Sequence, residues 1–233
     1  MATTVKKCLK LHKLFVNELA RSTRLESEGS QVLSSLSNVS QRVPTLLQSS
    51  SARSDANSDA EGNVEVMGVL SYSCNTQELL LQKHFLAMEK SRGFLADILR
   101  DYQELLRHIR SFTCECVTLV DDAFIEGDDS LSVEDEMAIL TFPLQLQEWM
   151  ETVLAMLEHE VLRKTRLVAD LEYNDTGRLS RVAKQWSSQG AMGNVDNDFV
   201  QTGLQLPQAK ALPSVEDASH SKSKKKKKSK AKK

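Results

Sequence analysis

The sequence predicts an all-α protein: an elongated antiparallel bundle of three long helices plus a short C-terminal helix, with a disordered linker and a Lys-rich tail. Three observations carry that prediction. Apolar side chains recur at the three-then-four spacing of one helix face in three separate stretches. They are Val5, Cys8, Phe15, Val16, Leu19, Leu33 and Leu36; then Leu95, Ile98, Leu99, Tyr102, Leu105, Leu106, Ile109, Phe112, Cys116 and Leu119; then Trp149, Val153, Met156, Leu157, Val161, Leu167 and Leu171. Helix breakers are scarce, with nine Gly and four Pro in 233 residues. Only 5% of the chain is aromatic, which argues against a β-sandwich or a β-rich enzyme fold. Stripes of this kind have to be covered by other helices, because a lone amphipathic helix cannot bury its own face. The chain is built to pack helix on helix and to present surfaces.

Residues 1–48 hold the first long helix, from about Thr4 to Gln48, with Pro44 near its end. Its middle is weak: Ser22, Thr23, Glu26, Gly29 and Ser30 fall where the stripe wants apolar side chains. Gly29 costs about 1 kcal/mol against Ala in a helix interior. Either the helix breaks near 27–30 or it continues under tertiary support. The stripe resumes in phase at Leu33 and Leu36, which favours continuity.

Residues 49–75 are polar, aperiodic and read as a disordered linker. Residues 76–187 make up the remainder of the bundle, with helices at about 76–123, 143–173 and 176–187. Asn75 or Thr76 can cap the first of these, which at 1.5 Å per residue would be about 70 Å long. The acidic connection 121–136 lacks the alternating carboxylate order of a calcium loop and reads as a solvated turn. Ser132 with Asp135 resembles a capping box, so a short helix is expected over 133–140. Phe142 precedes Pro143, which disfavours α geometry at the Phe and suits the Pro to the first turn of a new helix. Asn174 or Asp175 ends that helix and caps the last one, which docks Leu179, Val182, Ala183 and Trp186. Residues 188–233 are read as disordered tail with the basic segment 222–233.

The net charge of −2 conceals a division. Nine of the 30 basic residues lie in 222–233, which leaves −11 on residues 1–221. An acidic body with a basic tail implies two kinds of partner. The tail lysines are Lys222, Lys224, Lys225, Lys226, Lys227, Lys228, Lys230, Lys232 and Lys233. Such a run serves as a nuclear-import signal, as a contact to nucleic-acid backbone, or as a solubiliser. It has no aromatic residue to stack on bases and no Arg to read guanine, so any RNA or DNA binding would be sequence-blind and salt-sensitive.

Signatures of chemistry are missing. Cys114 and Cys116 would point about 200° apart on a helix and cannot share a metal, and with Cys8 and Cys74 they read as buried or idle thiols. His159-Glu160 opens like the H-E-x-x-H zinc motif, but Arg163 stands where the second His belongs. There is no glycine-rich phosphate loop and no G-x-S-x-G elbow. His84 and His108 read as ordinary flank histidines. Ser58 and Ser214 precede acidic residues, a phosphorylation pattern too common to weigh. Asn38-Val39-Ser40 and Asn174-Asp175-Thr176 match the glycosylation pattern, which carries no weight without a secretory signal. No cofactor or metal is expected, nor a membrane span or signal-peptide core, which places the chain in cytoplasm and nucleus.

Two stretches carry a family resemblance. Residues 5–43 contain Lys6-Lys7-Cys8 and the Leu33–Asn38 segment LSSLSN. Residues 146–186 contain Glu148-Trp149, Leu162-Arg163-Lys164, Asn174-Asp175 and Lys184-Gln185-Trp186. Together they resemble the AIRIM family of ribosome maturation factors, which partner a type II AAA ATPase. The likeness covers roughly 80 residues, and the middle helix matches in pattern alone. The related CINP family is similar in the C-terminal region, through the aromatic-Pro entry, but less so in the N-terminal one. The basic tail departs from the AIRIM pattern.

The resemblance implies a non-enzymatic adaptor. AIRIM-like proteins belong to a complex of two related AAA ATPases and a CINP-like sister subunit. That complex promotes late cytoplasmic maturation of the large ribosomal subunit by stripping a shuttling factor from the pre-ribosomal particle. It is also implicated in clearing replication-fork proteins from chromatin. On this reading Trp149, Met150 and Val153 on the third helix, with Trp186 on the last, are candidate contacts to the sister subunit. All four could equally be core, and for Trp186 core is the better reading. Other readings are a CINP-like cell-cycle adaptor, a nucleolar RNA-associated protein acting through its tail, and a self-associating coiled coil.

Overall fold

A computed structural model describes residues 2–51, 75–125, 133–173, 175–187 and 193–206. Of these residues 91% are helical, and no strand occurs among them. The helices are α1 (Ala2–Ser51), α2 (Thr76–Ile125), α3 (Val133–Ala169), α4 (Thr176–Gln185) and α5 (Asn197–Leu204). Nearly all of the expected linker 49–75 and the whole basic segment 222–233 lie outside the described residues, as do Cys74 and Ser132.

Cross-helix bonds fix how α1 lies on α2. Gln77 Nε2 donates to the Leu46 carbonyl at 2.5 Å, Tyr102 Oη to the Ser22 carbonyl at 3.3 Å, and Arg21 pairs with Glu104 at 2.9 Å. His108 Nδ1 stands 3.1 Å from Glu18. Numbers rise along one helix as they fall along the other, so the two run in opposite directions. The apolar residues of each stripe meet between them: Cys8, Leu11, Phe15, Leu25, Leu33 and Leu36 from α1 are buried, as are Leu95, Tyr102, Leu105, Ile109 and Cys116 from α2. Cys8 and Cys116 are hydrogen-bonded thiols in that seam. Its contact with Cys8, together with burial, pushes the Cys116 thiol up from its ordinary value.

α1 is continuous through Gly29, as the phase of its stripe indicates. Its polar middle has a structural reason. Gly29 lies beneath the indole of Trp186, and a Cβ there would fall inside the ring's van der Waals surface. The Trp186 Nε1–H donates to the Glu26 carbonyl at 3.0 Å. The apolar residue missing from α1 is supplied by α4.

The expected break at Pro143 is absent. α3 runs without interruption from Val133 to Ala169 with Pro143 inside it. An interior proline costs about 3 kcal/mol. Leu140, Phe142 and Leu146, on either side of it, are all buried. Burying a large apolar side chain contributes about 1.5–3 kcal/mol each, so three of them outweigh the local defect. α3 ends four residues earlier than expected, where the Leu171 N–H turns back to the Val168 carbonyl.

Asp175 caps α4, its carboxylate accepting the Arg178 N–H at 2.8 Å. Leu179, Val182 and Trp186 are buried and Ala183 half-buried, as expected of the docking helix. The tail expectation for 188–233 needs correction in its first part, because residues 193–206 fold. Asp196 caps α5 through the Phe199 N–H at 3.1 Å, and Val195, Phe199, Val200, Leu204 and Leu206 pack on the core. An eight-residue helix is too short to show a period, and its stability comes from the surface it lands on.

Candidate functional site

The four candidate contacts occupy two buried sites inside this chain. Trp149, Met150, Val153 and Trp186 are each at most 3% exposed. Their burial matches the core alternative that the sequence left open for all four and favoured for Trp186: α1 and α5 lie against Trp149, and α1 lies against Trp186. Trp149 sits between α1 and α5, its ring 5.1 Å from Phe15 and 5.6 Å from His12. Gly203 of α5 lies so close to the indole that a Cβ there would overlap it. His12 Nε2 is 2.9 Å from the Gly203 carbonyl, which ties α1 to α5 beside the same ring.

Trp186 belongs to a charged clasp. Arg163 and Lys164 each stand one helical turn after Glu160 on α3, where Glu160 and Lys164 are buried and Arg163 is half-buried. Lys164 is fully buried. It is 2.7 Å from Glu160, donates to the Trp186 carbonyl at 2.5 Å, and places its ammonium 4.7 Å from the indole centroid. Arg163 forks onto both Glu160 oxygens and also donates to the carbonyls of Gln185, Trp186 and Ser187. Both cations thus cap the last carbonyls of α4, where the helix dipole favours positive charge. Glu160 completes the clasp by accepting from the Asn194 N–H at 3.2 Å and its side-chain amide at 3.3 Å.

Burial pulls the Lys164 ammonium below its ordinary value, and the bonds to Glu160 and the charge of Glu26 offset this in part. Burial pushes the Glu160 carboxyl up, but hydrogen bonds from Arg163 and Lys164 reverse that, and its pKa falls below the usual carboxylate value. Burial and the charges of Glu26 and Glu160 push the Tyr102 phenol up.

Beside the clasp lies a cavity of about 450 Å³, lined by Ser22, Thr23 and Ser30 of α1, Leu157 and Lys164 of α3, and Val200 of α5. Glu160, Lys164 and Tyr102 also border it, but each is engaged with a partner in the fold. A general base has to be free to take a proton from a substrate, and the carboxylate here already accepts from Arg163, Lys164 and Asn194. What this arrangement does chemically is hold α4 and the entry to α5 against α3.

The sequence reading passed over this clasp, although its signal was visible. Arg163 interrupts the zinc-like motif begun by His159-Glu160, and three charges one turn apart sit within an apolar stripe. The His84 Nδ1–H donates to the Leu80 carbonyl one turn back, and His108 meets Glu18, a carboxylate partner from α1 that the sequence did not place there. No group of three or more His, Cys, Asp or Glu side chains among the described residues is placed to hold a metal ion. No described helix is long and apolar enough to cross a membrane.

Large apolar side chains are left in solvent elsewhere. On the first half of α2, Leu79 is 61%, Leu86 57% and Phe94 57% exposed, with Phe85 nearby. α3 ends at Ala169. Glu158 pairs with Arg110 at 2.6 Å, Glu151 lies near enough to Cys116 to act on its thiol, and Arg92 acts on Tyr173 just past the helix, so α3 runs opposite to α2 and its end lies level with the stretch around Leu99. α3 therefore does not reach these residues. Compared with known protein families, curated proteins and solved structures, the chain matches none.

Proposed function

We propose that this chain is a non-enzymatic adaptor subunit of an AAA ATPase complex that promotes late maturation of the large ribosomal subunit. In this reading its three long helices work as one elongated antiparallel bundle. It binds a CINP-like helical sister subunit, and the pair directs the ATPase to pre-ribosomal particles, where a shuttling factor is released. The same assembly acts on replisome proteins at chromatin, and the chain divides its time between cytoplasm and nucleus. The observation that carries the reading is the apolar face on the first half of α2. Monomeric proteins rarely expose several large apolar side chains together unless a partner covers them. The resemblance of residues 5–43 and 146–186 to the AIRIM family names the partner class. The internal saturation of the Glu160–Lys164 clasp supports a role without catalysis.

Affinity purification of the full chain from cells, followed by mass spectrometry, tests it. Two related AAA ATPases and a CINP-family protein are expected among the most abundant co-purifying proteins, at stoichiometric levels that survive 0.5 M salt. Deletion of 222–233 is expected to leave that set unchanged. Recovery of RNA-binding proteins alone, lost on that deletion, would instead favour a nucleolar protein acting through its Lys tail.

A further inference from the structure

Tyr102 of α2 donates to the Ser22 carbonyl of α1, which fixes one layer of the seam between these antiparallel helices. Seven residues along each helix, Phe15 comes level with Ile109, and both are fully buried. Seven further, Cys8 comes level with Cys116, and again neither side chain reaches solvent. A step of seven returns each helix to nearly the same face, so the two cysteines look at one another across the seam. Their thiols share a hydrogen bond. The Arg21–Glu104 pair and the His108–Glu18 contact hold the same register along the flank.

Packed helices lie about 8–10 Å apart, with each Cα about 2.3 Å from its own axis. Facing Cα atoms in such a pair therefore approach to the separation of about 4.4–6.8 Å that a disulfide spans. Both cysteines are free thiols in this structure.

We propose that Cys8 and Cys116 form a redox pair, which a hydroperoxide closes into a disulfide that staples the start of α1 to the far end of α2. Cys8 reacts first. Its hydrogen bond with Cys116 holds its thiol below the ordinary value, whereas the contact with Cys8 and burial push Cys116 up. Cys8 also lies within two turns of Ala2, so local opening of the helix start exposes it to the reagent. The Cys8 thiolate attacks one oxygen of hydrogen peroxide, the O–O bond breaks, and the departing hydroxide is protonated to water. Cys8 is then a sulfenic acid. As α1 closes again, the Cys116 sulfur attacks the Cys8 sulfur, the S–O bond breaks, and hydroxide leaves with the Cys116 proton as water. The two sulfurs have lost two electrons and the peroxide has gained them. A thiol-rich compartment keeps the pair reduced, so closure registers an excess of peroxide. The bond encloses residues 9–115, and a loop of that length gains strongly from closure. This holds whether or not the chain is an adaptor.

The test uses the full chain carrying Cys74→Ser and Cys114→Ser, which leaves Cys8 and Cys116 as its two thiols. Cys114 is exposed, so its replacement removes no buried contact. Deuterium exchange over residues 2–10 shows when the start of α1 opens, and hydrogen peroxide is applied over the same interval. The expected product is a monomer lighter by two hydrogens, with the Cys8 and Cys116 peptides linked. Its melting temperature should rise by at least about 5 °C, and dithiothreitol should reverse both changes. Complete exchange with both thiols still free would overturn the proposal. So would a link between two chains, oxygen added at Cys8 without linkage, or a linked chain that melts no higher than the reduced one.

Discussion

Gly29 and Gly93 sit in the interiors of neighbouring helices, and their surroundings reverse the effect of the same substitution: a Cβ at Gly93 would meet nothing within 4 Å. Helix propensity alone predicts that Gly29→Ala adds about 1 kcal/mol of stability. The Trp186 indole occupies the space the methyl would need, and overpacking of that kind costs about 1–3 kcal/mol. We therefore expect Gly29→Ala to lower stability in urea denaturation, with the Trp186 emission shifted as the ring is displaced. Glu160 shows the same dependence on partners. Glu160→Gln leaves the fully buried Lys164 without its close counter-charge, and stability should fall by at least about 3 kcal/mol. Lys164→Met should cost less, because Glu160 keeps the Arg163 fork. A urea titration in which the lysine variant is the more damaged of the two would contradict this account of the clasp.

At the scale of elements, the three long stripes fixed three long helices, and the phase of the first carried it correctly across Gly29. Where the sequence misled, tertiary contact had overridden a local rule. The Phe142-Pro143 step is a sound local stop signal, yet α3 passes through it because Leu140, Phe142 and Leu146 are each buried on either side of the proline. α5 was hidden for the opposite reason, since eight residues cannot display a period and the Asp196 cap was the one local cue. The candidate contacts were legible as important apolar positions, but no sequence says whether an apolar stripe is covered from within or from without. Trp149 is covered from within by a helix that the sequence reading assigned to tail. Gly203→Val should therefore detach α5 and red-shift the Trp149 emission, with little change in helix content. An unchanged spectrum would mean that α5 does not cover the ring. The α1–α2 seam makes a separate prediction. In a Cys74→Ser background a thiol reagent should modify exposed Cys114 rapidly in the native state, and Cys8 and Cys116 only on unfolding.

For the whole molecule, stability should depend on pH through the clasp. Glu160 has a native pKa below its unfolded value, so its contribution is complete above the ordinary carboxylate range and is lost as pH falls through the depressed value. The stability gap between wild type and Glu160→Gln should accordingly close in acid, below about pH 4. Lys164 acts in the other direction: its lowered pKa means that its burial costs stability at neutral pH, and that cost fades as pH rises toward the ordinary lysine range. A gap that stayed constant from pH 7 to pH 3 would show that Glu160 does not titrate as the clasp requires. The chain contains two tryptophans, and each rests on a glycine of a distant segment, Trp186 on Gly29 and Trp149 on Gly203. Its intrinsic fluorescence is thus a built-in gauge of closure. A refolding trace excited at the indole band would stay blind while α1 and α2 zip together, and would brighten or shift when the far end of the polypeptide finally arrives.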